Sequence, residues 1–262
     1  MKRIERALWA VVPPIAWGGL FLLAWEWFVK VRHIKPFVLP APSAIWKQFG
    51  TNRTGIWDTA RATGTNALVG LILGVVIGVG VAFVAQRFGL VGRVISPVSA
   101  ALNTMPIVAL GPIFYNLFGA TSDVARRFVV VLVVFFPVFV NMLKGLTQIE
   151  PVHEELMRSY AAGDSRILWL VRLPNSLPFL LTGIRIAASL SVIAAVVVEY
   201  FGGLQNGLGS RVSSAMKLSA TPKAWAYILA ACTLGLLFYV AALLLEFAVM
   251  PWQNKRKAAA SA

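Results

Sequence analysis

Six long apolar runs dominate the amino-acid sequence and limit the folds that this chain can adopt. A run of about 20 apolar residues can cross the hydrocarbon core of a bilayer as an α-helix. Inside lipid, every backbone N–H and C=O group must find a partner within the protein, which excludes open sheets and lipid-exposed loops. The sequence therefore predicts an all-α polytopic membrane protein with about six transmembrane helices. The runs cover residues 8–29, 62–86, 94–119, 128–143, 177–198 and 224–250.

The composition is typical of a chain that lies largely in the bilayer. Of the 262 residues, 58% are hydrophobic and 13% are charged, whereas soluble domains contain about 25% charged residues. We expect one transmembrane domain over residues 1–262, with a core at about 60–250 and an extra N-terminal span at about 8–29. The basic N-terminus resembles a signal peptide, but no small-residue cleavage site follows the long apolar run, so we expect the span to be retained.

The formal net charge of +14 comes from Lys and Arg residues that stand at the ends of the apolar runs. This placement is typical of side chains that face water and anionic lipid head groups. We therefore expect these charges to face the lipid bilayer and not nucleic acid. The single cysteine, Cys232, excludes a disulfide or a cysteine-based metal site within one chain.

Three glycines follow one another at four-residue spacing in the second run, at Gly70, Gly74 and Gly78. Residues four apart share one face of a helix, and small residues there allow another helix to approach closely in a membrane. The partner is either a helix of the same chain or a second copy of the protein. We favour packing within the chain.

Two regions depart from simple helical spans. The third run contains Pro97, Pro106 and Pro112, which predicts a short helix, a bend near residues 103–106 and a second helical piece. Broken backbone at membrane depth occurs where it is buried in protein or lines a cavity, so this run is either a pathway element or an ordinary proline kink. Residues 200–222 are rich in glycine and predict a re-entrant or loop-like segment.

A polar stretch over residues 155–174, here called the central segment, separates the fourth and fifth runs. Its charges exclude it from hydrocarbon and predict a helix in water at the membrane face, ending at a Leu-Pro pair that opens the next run. Glu155 and Arg158 lie three apart and can pair with each other or with a partner, and Leu156, Tyr160 and Ile167 supply apolar contacts. The segment is either a docking helix or a solvated connector.

Neither a phosphate-binding Gly-x-x-x-x-Gly-Lys-Ser/Thr loop, a His-Glu-x-x-His motif nor a Gly-x-Ser-x-Gly motif occurs. The sequence therefore predicts a non-catalytic protein. An ion-coupled carrier or channel is the main alternative, and a purely structural membrane subunit is another. Ion coupling normally uses acidic residues deep in the spans, whereas Glu26, Glu199 and Glu246 lie near the ends of their runs.

The central segment resembles the EAA loop of ABC importer permeases, which reads Glu-Ala-Ala, three residues, Gly, nine residues, Ile, any residue, Leu-Pro. Leu156 and Met157 replace the two alanines, and Ala161 stands at the glycine position, with Gly163 two residues later. Other segments resemble the nitrate, sulfonate, taurine and thiamine-precursor branch of these permeases. These are residues 39–43 (LPAPS), 106–112 (PIVALGP) and 199–209 (EYFGGLQNGLG).

The resemblance implies a type I permease fold in the bacterial inner membrane, with both termini in the cytoplasm. It further implies a homodimer, a separate ATPase that carries ATP and Mg²⁺ and docks on the central segment, and an extracytoplasmic binding protein that delivers the substrate. No cofactor is expected on this chain. The implied substrate is a small molecule such as a thiamine pyrimidine precursor, a sulfonate or taurine, or nitrate, with selectivity residing largely in the binding protein.

Two sets of candidate site residues follow. The ATPase-coupling set is Glu155, Leu156, Arg158, Tyr160, Ala161, Gly163, Val171, Leu173 and Pro174. The pathway and gate set contains small polar residues of the spans and residues of the Gly-rich segment, which the resemblance implies is near an outer gate. Its members are Asn103, Thr104, Pro106, Ser189, Ser191, Glu199, Gly202, Gly203, Gly207 and Gly209.

Overall fold

The computed structural model describes residues 2–88, 106–119 and 122–251. Ten α-helices cover this part of the chain, and no strand occurs in it. In chain order they are α1 (Lys2–Val31), α2 (Pro42–Thr51), α3 (Arg53–Arg87), α4 (Ile107–Phe118), α5 (Asp123–Thr147), α6 (Pro151–Ser159), α7 (Asp164–Ile167), α8 (Leu173–Phe201), α9 (Leu208–Lys217) and α10 (Thr221–Val249). A single π turn, Leu168–Arg172, joins α7 to α8.

Five helical stretches are long and apolar enough to cross a membrane: Val12–Val31, Arg53–Arg87, Asp123–Thr147, Asp164–Phe201 and Thr221–Val249. The all-α polytopic prediction is therefore confirmed. Helix α4 has 12 residues, which gives a length of about 18 Å, too short to cross a hydrocarbon core of about 30 Å. The predicted bend near residues 103–106 falls mostly outside the described residues. Pro106 is the N-cap of α4 and has extended backbone.

Helix α5 lies at the centre of the bundle, between α3 and α8. Its Val130, Val134 and Val138 are fully buried in the cluster that joins these three helices, and Phe139 continues the core toward the end of α5. Helix α1 lies at the edge of the bundle. It contacts α2 through Glu26 and α10 through a Trp25–Trp225 ring contact. The core is therefore formed by α3, α5 and α8.

Both the second run and the Gly-rich segment differ from their predicted form. Helix α3 begins at Arg53 and not near residue 62, and its 35 residues span about 52 Å. Its first turns are polar and extend past the apolar layer. The start that the hydropathy of the sequence predicts is therefore too late in the chain. The Gly-rich segment is only partly a loop, because residues 208–217 form helix α9.

The glycine stripe of α3 packs against the valine stripe of α5. A Cβ atom added at Gly70 or Gly74 would lie within 2.6 Å of Val130 or Val134, respectively. Gly78 faces Val138 in the same way, with 3.1 Å to its Cγ1 atom. The helices therefore touch at a distance that only glycine allows, and the prediction of packing within the chain is confirmed.

This contact predicts opposite effects for two alanine substitutions on one helix. Gly74→Ala should lower the free energy of unfolding by about 1–2 kcal/mol, because overpacking costs about 1–3 kcal/mol and the gain in helix propensity offsets only part of it. Gly80→Ala should raise it by up to about 1 kcal/mol, since no atom lies within 4 Å of the added Cβ. Thermal unfolding of the two purified variants measures the difference. Equal shifts would contradict the proposed packing.

Candidate functional site

The central segment begins as a separate helix and ends inside a transmembrane one. Helix α6 ends at Ser159, and residues 160–163 turn the chain. From Asp164 the helix then continues without interruption to Phe201. Leu173 and Pro174 are the first residues of α8, as the sequence predicts, and the π turn joins them to the helical residues that precede them.

Pro174 accounts for the π turn that precedes it. Proline has no N–H group, so Pro174 cannot donate the usual helical bond to the carbonyl group four residues earlier. The Leu173 N–H group instead donates to the Leu168 carbonyl oxygen, five residues back. Single π turns of this kind widen a helix locally without ending it, and they occur often at functional sites. The proline thus shapes the helix beside the turn at residues 160–163.

Ala161 is held in a left-handed conformation, with φ of 54°. Its N–H group donates to the Arg158 carbonyl oxygen at 2.9 Å, and the next N–H group, of Ala162, donates to Met157 at 3.0 Å. These bonds close the end of α6, as glycine commonly does after a helix. Gly163 has φ of −72°, which any residue adopts. The family's glycine therefore corresponds in conformation to Ala161, and Gly163 does not replace it.

The turn predicts that Ala161→Gly stabilises the segment. A non-glycine residue in the left-handed region is strained by about 1–2 kcal/mol, and the greater freedom of glycine in the unfolded chain offsets about half of this. Amide hydrogen exchange over residues 157–163 should slow accordingly. Gly163→Ala should instead speed amide hydrogen exchange, because alanine is a weaker N-cap for the following helix. Faster exchange in Ala161→Gly would contradict the assignment.

Glu154 is the acidic residue that organises the segment. Its carboxylate accepts hydrogen bonds from Arg158 at 2.7 Å and from Arg172 at 3.2 Å, so it ties α6 to the π turn. The Arg158 hydrogen bond, reinforced by the charge of Arg172, lowers the pKa of the Glu154 carboxyl group. A lowered folded-state pKa means that the stabilisation is present at neutral pH and is lost as the pH falls through that pKa.

Of the two alternatives that the sequence left open for Glu155, the intramolecular pair with Arg158 does not form. Arg158 bonds Glu154 instead, because these two residues lie four apart on α6. Glu155 is exposed and has no ion pair or side-chain hydrogen bond to the residues that the structure describes. Two acidic residues adjacent in sequence therefore differ in role, since one fixes the segment and the other faces outward.

The central segment is anchored to the end of α5. Asn175 donates from Nδ2 to the carbonyl oxygens of Gly145 and Gln148, at 2.8 and 3.0 Å. A Cβ atom added at Gly145 would lie 2.6 Å from the Ser176 Cα atom, so the two backbones are in close contact. Movement of the segment therefore reaches α5 as well as α8.

Apolar side chains of the segment divide into buried and exposed ones. Leu156 is 52% exposed and Tyr160 75% exposed, whereas Ile167 is 1% exposed. Ile167 therefore anchors the segment in the core and is not a contact for a partner, contrary to the prediction. Of the other candidates, Val171 and Leu173 are half-buried and Pro174 is exposed. A cavity of about 430 Å³ opens between α6 and the π turn, with Leu156 and Leu170 in its lining.

The structure places the pathway candidates unevenly. Asn103 and Thr104 lie outside the described residues. Pro106 is exposed at the start of α4, and Ser189 is half-buried on α8. Ser191 is fully buried, and its hydroxyl group donates to the Ala188 carbonyl oxygen in the same helix at 2.8 Å. That hydroxyl group is therefore occupied and does not face a cavity.

Glu199 and the four glycines come together at the end of α8 opposite the central segment. Gly203 has φ of 83°, and a Cβ atom there would lie 2.5 Å from the Tyr115 ring. Gly202 lies against the same ring. Cβ atoms added at Gly207 and Gly209 would overlap the Glu199 carboxylate and the Val196 carbonyl oxygen, respectively. The glycines therefore allow the loop to lie directly on α4 and α8.

Sequence reasoning missed Arg126, which is fully buried beside Glu199. Its Nη1 atom lies 3.7 Å from Glu199 Oε1 and 3.4 Å from Asp123 Oδ1. The expectation that Lys and Arg residues at the ends of the apolar runs face water is wrong for Arg126. The one available signal was helical phase, because Arg126 lies four residues before the buried Val130. Within the described residues no group of three or more His, Cys, Asp or Glu side chains could hold a metal ion.

Comparison with known proteins relates the chain to one family and one fold. The family model described as the inner membrane component of binding-protein-dependent transport systems matches residues 70–251. Two solved structures share the fold. One is titled as inward-facing conformations of the MetNI methionine ABC transporter, with a TM-score of 0.58 and 20% identity, and the match covers 75% of this chain and 94% of that one. The other is an amino acid ABC transporter, with a TM-score of 0.60, 15% identity and the same coverage.

Three relatives span nearly the whole chain. The formylaminopyrimidine transport permease protein ThiX of Halalkalibacterium halodurans is 32% identical over 98% of this chain and 100% of its own length. The riboflavin transport system permease protein RibX of Chloroflexus aurantiacus is 29% identical, over 97% and 94%. The taurine transport system permease protein TauC of Escherichia coli is 24% identical, over 90% and 88%. The chain belongs to the family of binding-protein-dependent transport system inner membrane components, the permease subunits of ABC importers.

Proposed function

We propose that this chain forms the substrate pathway of an ATP-driven importer and couples to a separate ATPase through the central segment. The observation that supports this most directly is the contrast within that segment. Glu154, which directly precedes the segment, ties α6 to the π turn and Ile167 is buried, while Glu155, Leu156 and Tyr160 are exposed. A fixed helix that presents a charge and large apolar side chains suits insertion into a groove on a partner protein.

Coupling requires that movement of the ATPase changes the arrangement of the transmembrane helices. The segment is suited to this because it is continuous with α8 through the π turn and bonded to the end of α5 through Asn175. ATP binding draws the ATPase subunits together, and the docked segments follow as rigid bodies. Only a difference in docking free energy between the two conformations can shift access from one membrane face to the other.

The proposal also includes the domain organisation, the dimer, the orientation in the membrane and the binding protein. The permease spans residues 1–262 as one domain, dimerises with a second permease, and places both termini and the central segment in the cytoplasm of a bacterium. A binding protein delivers substrate at the opposite face, where the pathway and gate residues lie beside the Gly-rich segment. ATP and Mg²⁺ bind to the ATPase subunit.

An ion-coupled carrier has less support. The positions of the acidic residues near the run ends suggest that they reach water. For Glu199 this expectation is wrong, because the residue is buried. Each of these carboxylates nevertheless has a cationic partner: Lys30 for Glu26, Arg126 for Glu199 and Arg185 for Glu246. None of these three carboxylates is therefore left without a cationic partner to carry a proton or sodium ion.

For the substrate, we propose a small pyrimidine of the thiamine-precursor type. The relative that transports formylaminopyrimidine matches this chain over its full length, and the predicted substrate classes include this one. The relatives named for taurine and riboflavin define the competing substrates.

Reconstitution in liposomes tests the proposal. The permease, its co-purifying ATPase and its binding protein are combined, and uptake of labelled formylaminopyrimidine, taurine and riboflavin is compared. We expect ATP-dependent uptake of the pyrimidine, and none with an ATPase whose phosphate-loop lysine is replaced. ATP-dependent uptake of taurine or riboflavin alone would contradict the substrate, and accumulation without any ATPase would contradict the importer mechanism.

A further inference from the structure

A buried ion pair stands at the end of the bundle opposite the central segment. Arg126 of α5 and Glu199 of α8 both have side chains with no exposed surface, and their closest charged atoms are 3.7 Å apart. Arg126 also donates from Nη1 to Asn206 Oδ1 at 2.7 Å and from Nη2 to the Leu204 carbonyl oxygen. The guanidinium group therefore connects α5 to the loop of residues 202–207.

Glu199 connects the same loop to two further helices. Its Oε2 atom accepts hydrogen bonds from the Thr63 hydroxyl group of α3 at 2.8 Å and from the Gly209 N–H group of α9 at 3.1 Å. The Thr63 hydroxyl oxygen in turn accepts from the Leu208 N–H group at 2.9 Å. The two charged side chains thus join α3, α5, α8, α9 and the loop at one point.

The bonds of this cluster are incomplete. Arg126 Nε and Glu199 Oε1 are both buried and have no hydrogen-bond partner among the residues that the structure describes. A buried ion pair contributes little net stability, because loss of hydration offsets the attraction between the charges. Opening the cluster to water would restore hydration to both groups, so the closed and open states can lie close in free energy. Replacement of one charge, in contrast, leaves the other buried without compensation and disfavours the closed state.

We propose that Arg126 and Glu199 form a lock that holds the loop of residues 202–207 closed over the end of the bundle. The lock opens to water when substrate passes. This inference rests on the proposed importer function, because alternating access links the two ends of the molecule. A weaker lock favours the state that is open at this end. In an importer, that state is the one with the ATPase subunits closed on ATP.

The test measures ATP hydrolysis by the reconstituted complex with and without loaded binding protein. Arg126→Gln and Glu199→Gln should each raise hydrolysis without binding protein by about tenfold, which corresponds to a shift of about 1.4 kcal/mol in the equilibrium. The ratio of stimulated to unstimulated hydrolysis should fall toward one. Arg127→Gln is the matched control, since Arg127 is adjacent but partly exposed, and among the described residues it pairs with Asp123 and donates to Asn66 without a bond to Glu199 or the loop. Its ratio should stay within about twofold of the wild type.

A merely structural role for the pair would lower hydrolysis and would not raise it. If a glutamine variant fails to fold, Asn206→Ala removes one acceptor of Arg126 while both charges remain, and it should raise unstimulated hydrolysis in the same direction. If all the folded variants keep the wild-type ratio of stimulated to unstimulated hydrolysis, the proposed lock is wrong. The importer function would stand in that case, because it fails only if the wild-type complex shows no ATP-dependent uptake.

Discussion

Alanine in place of Gly209 is expected to destabilise the folded protein strongly. The added Cβ atom would overlap the Val196 carbonyl oxygen and would lie 2.9 Å from the Tyr200 backbone nitrogen. Both are backbone atoms of α8, so no side-chain rotation can relieve the overlap. Displacement of residue 209 would also break the hydrogen bond that its N–H group donates to Glu199. Overpacking of this kind costs about 3 kcal/mol or more.

Gel filtration and thermal unfolding of the purified permease measure this effect. We expect aggregated protein, or a Tm lowered by about 6–12 °C, since about 2–4 °C corresponds to 1 kcal/mol in a chain of this size. Arg211→Ala is the matched control, because Arg211 is exposed two residues later on the same helix. It should unfold like the wild type. A Gly209→Ala variant as stable as Arg211→Ala would show that α9 does not pack on α8 in this way.

Arginine in place of Glu155 is expected to lower ATP-driven uptake at least about tenfold while the permease stays folded. Glu155 is exposed and bonds no described residue, so its reversal leaves the internal contacts of the segment intact. At the proposed docking contact the new charge would face a basic group of the ATPase, and a like-charge contact costs several kcal/mol. A loss of about 1.4 kcal/mol already corresponds to tenfold weaker binding. ATPase co-purification and uptake measure the two consequences.

Two neighbouring acidic residues supply controls. Glu150 is the N-cap of the same helix and its side chain is 80% exposed, so Glu150→Arg tests charge reversal at a residue outside the proposed coupling set and should leave uptake near the wild-type value. Glu154→Arg should instead disorder the segment, because it removes the partner of Arg158 and Arg172. Normal hydrolysis and normal uptake in Glu155→Arg would refute the docking role.

The transmembrane part of the fold could be predicted from the sequence because burial in lipid depends on hydrophobicity alone. The apolar runs identified the long helices, and the spacing of Gly70, Gly74 and Gly78 identified a packing face. Helix ends were less predictable. The polar first turns of helix α3 extend beyond the apolar layer. At the Leu-Pro pair the helix continues from a π turn, in which the Leu173 N–H group bonds the carbonyl group five residues earlier and not four.

The helical form of the central segment could be predicted from its own sequence, whereas contacts between distant residues could not. The central segment was recognised from its own charges, and its left-handed residue stands at the glycine position of the motif. The pairing of Glu154 with Arg172 depends on a turn that the sequence does not reveal. Arg126 and Glu199 lie 73 residues apart (199 minus 126), and their proximity to run ends suggested contact with water. Only the packing of α5 against α8 shows that both are buried.

One unbroken helix reaches from Asp164 to Phe201 and carries a candidate site at each end. Its 38 residues make a rod of about 57 Å, stiffened along its middle by α5. A pivot of about 5° near one tip displaces the other by about 5 Å, more than the roughly 3 Å length of a hydrogen bond. A small tilt of α8 relative to α5, at the end that carries the central segment, is therefore large enough to separate Glu199 from Arg126.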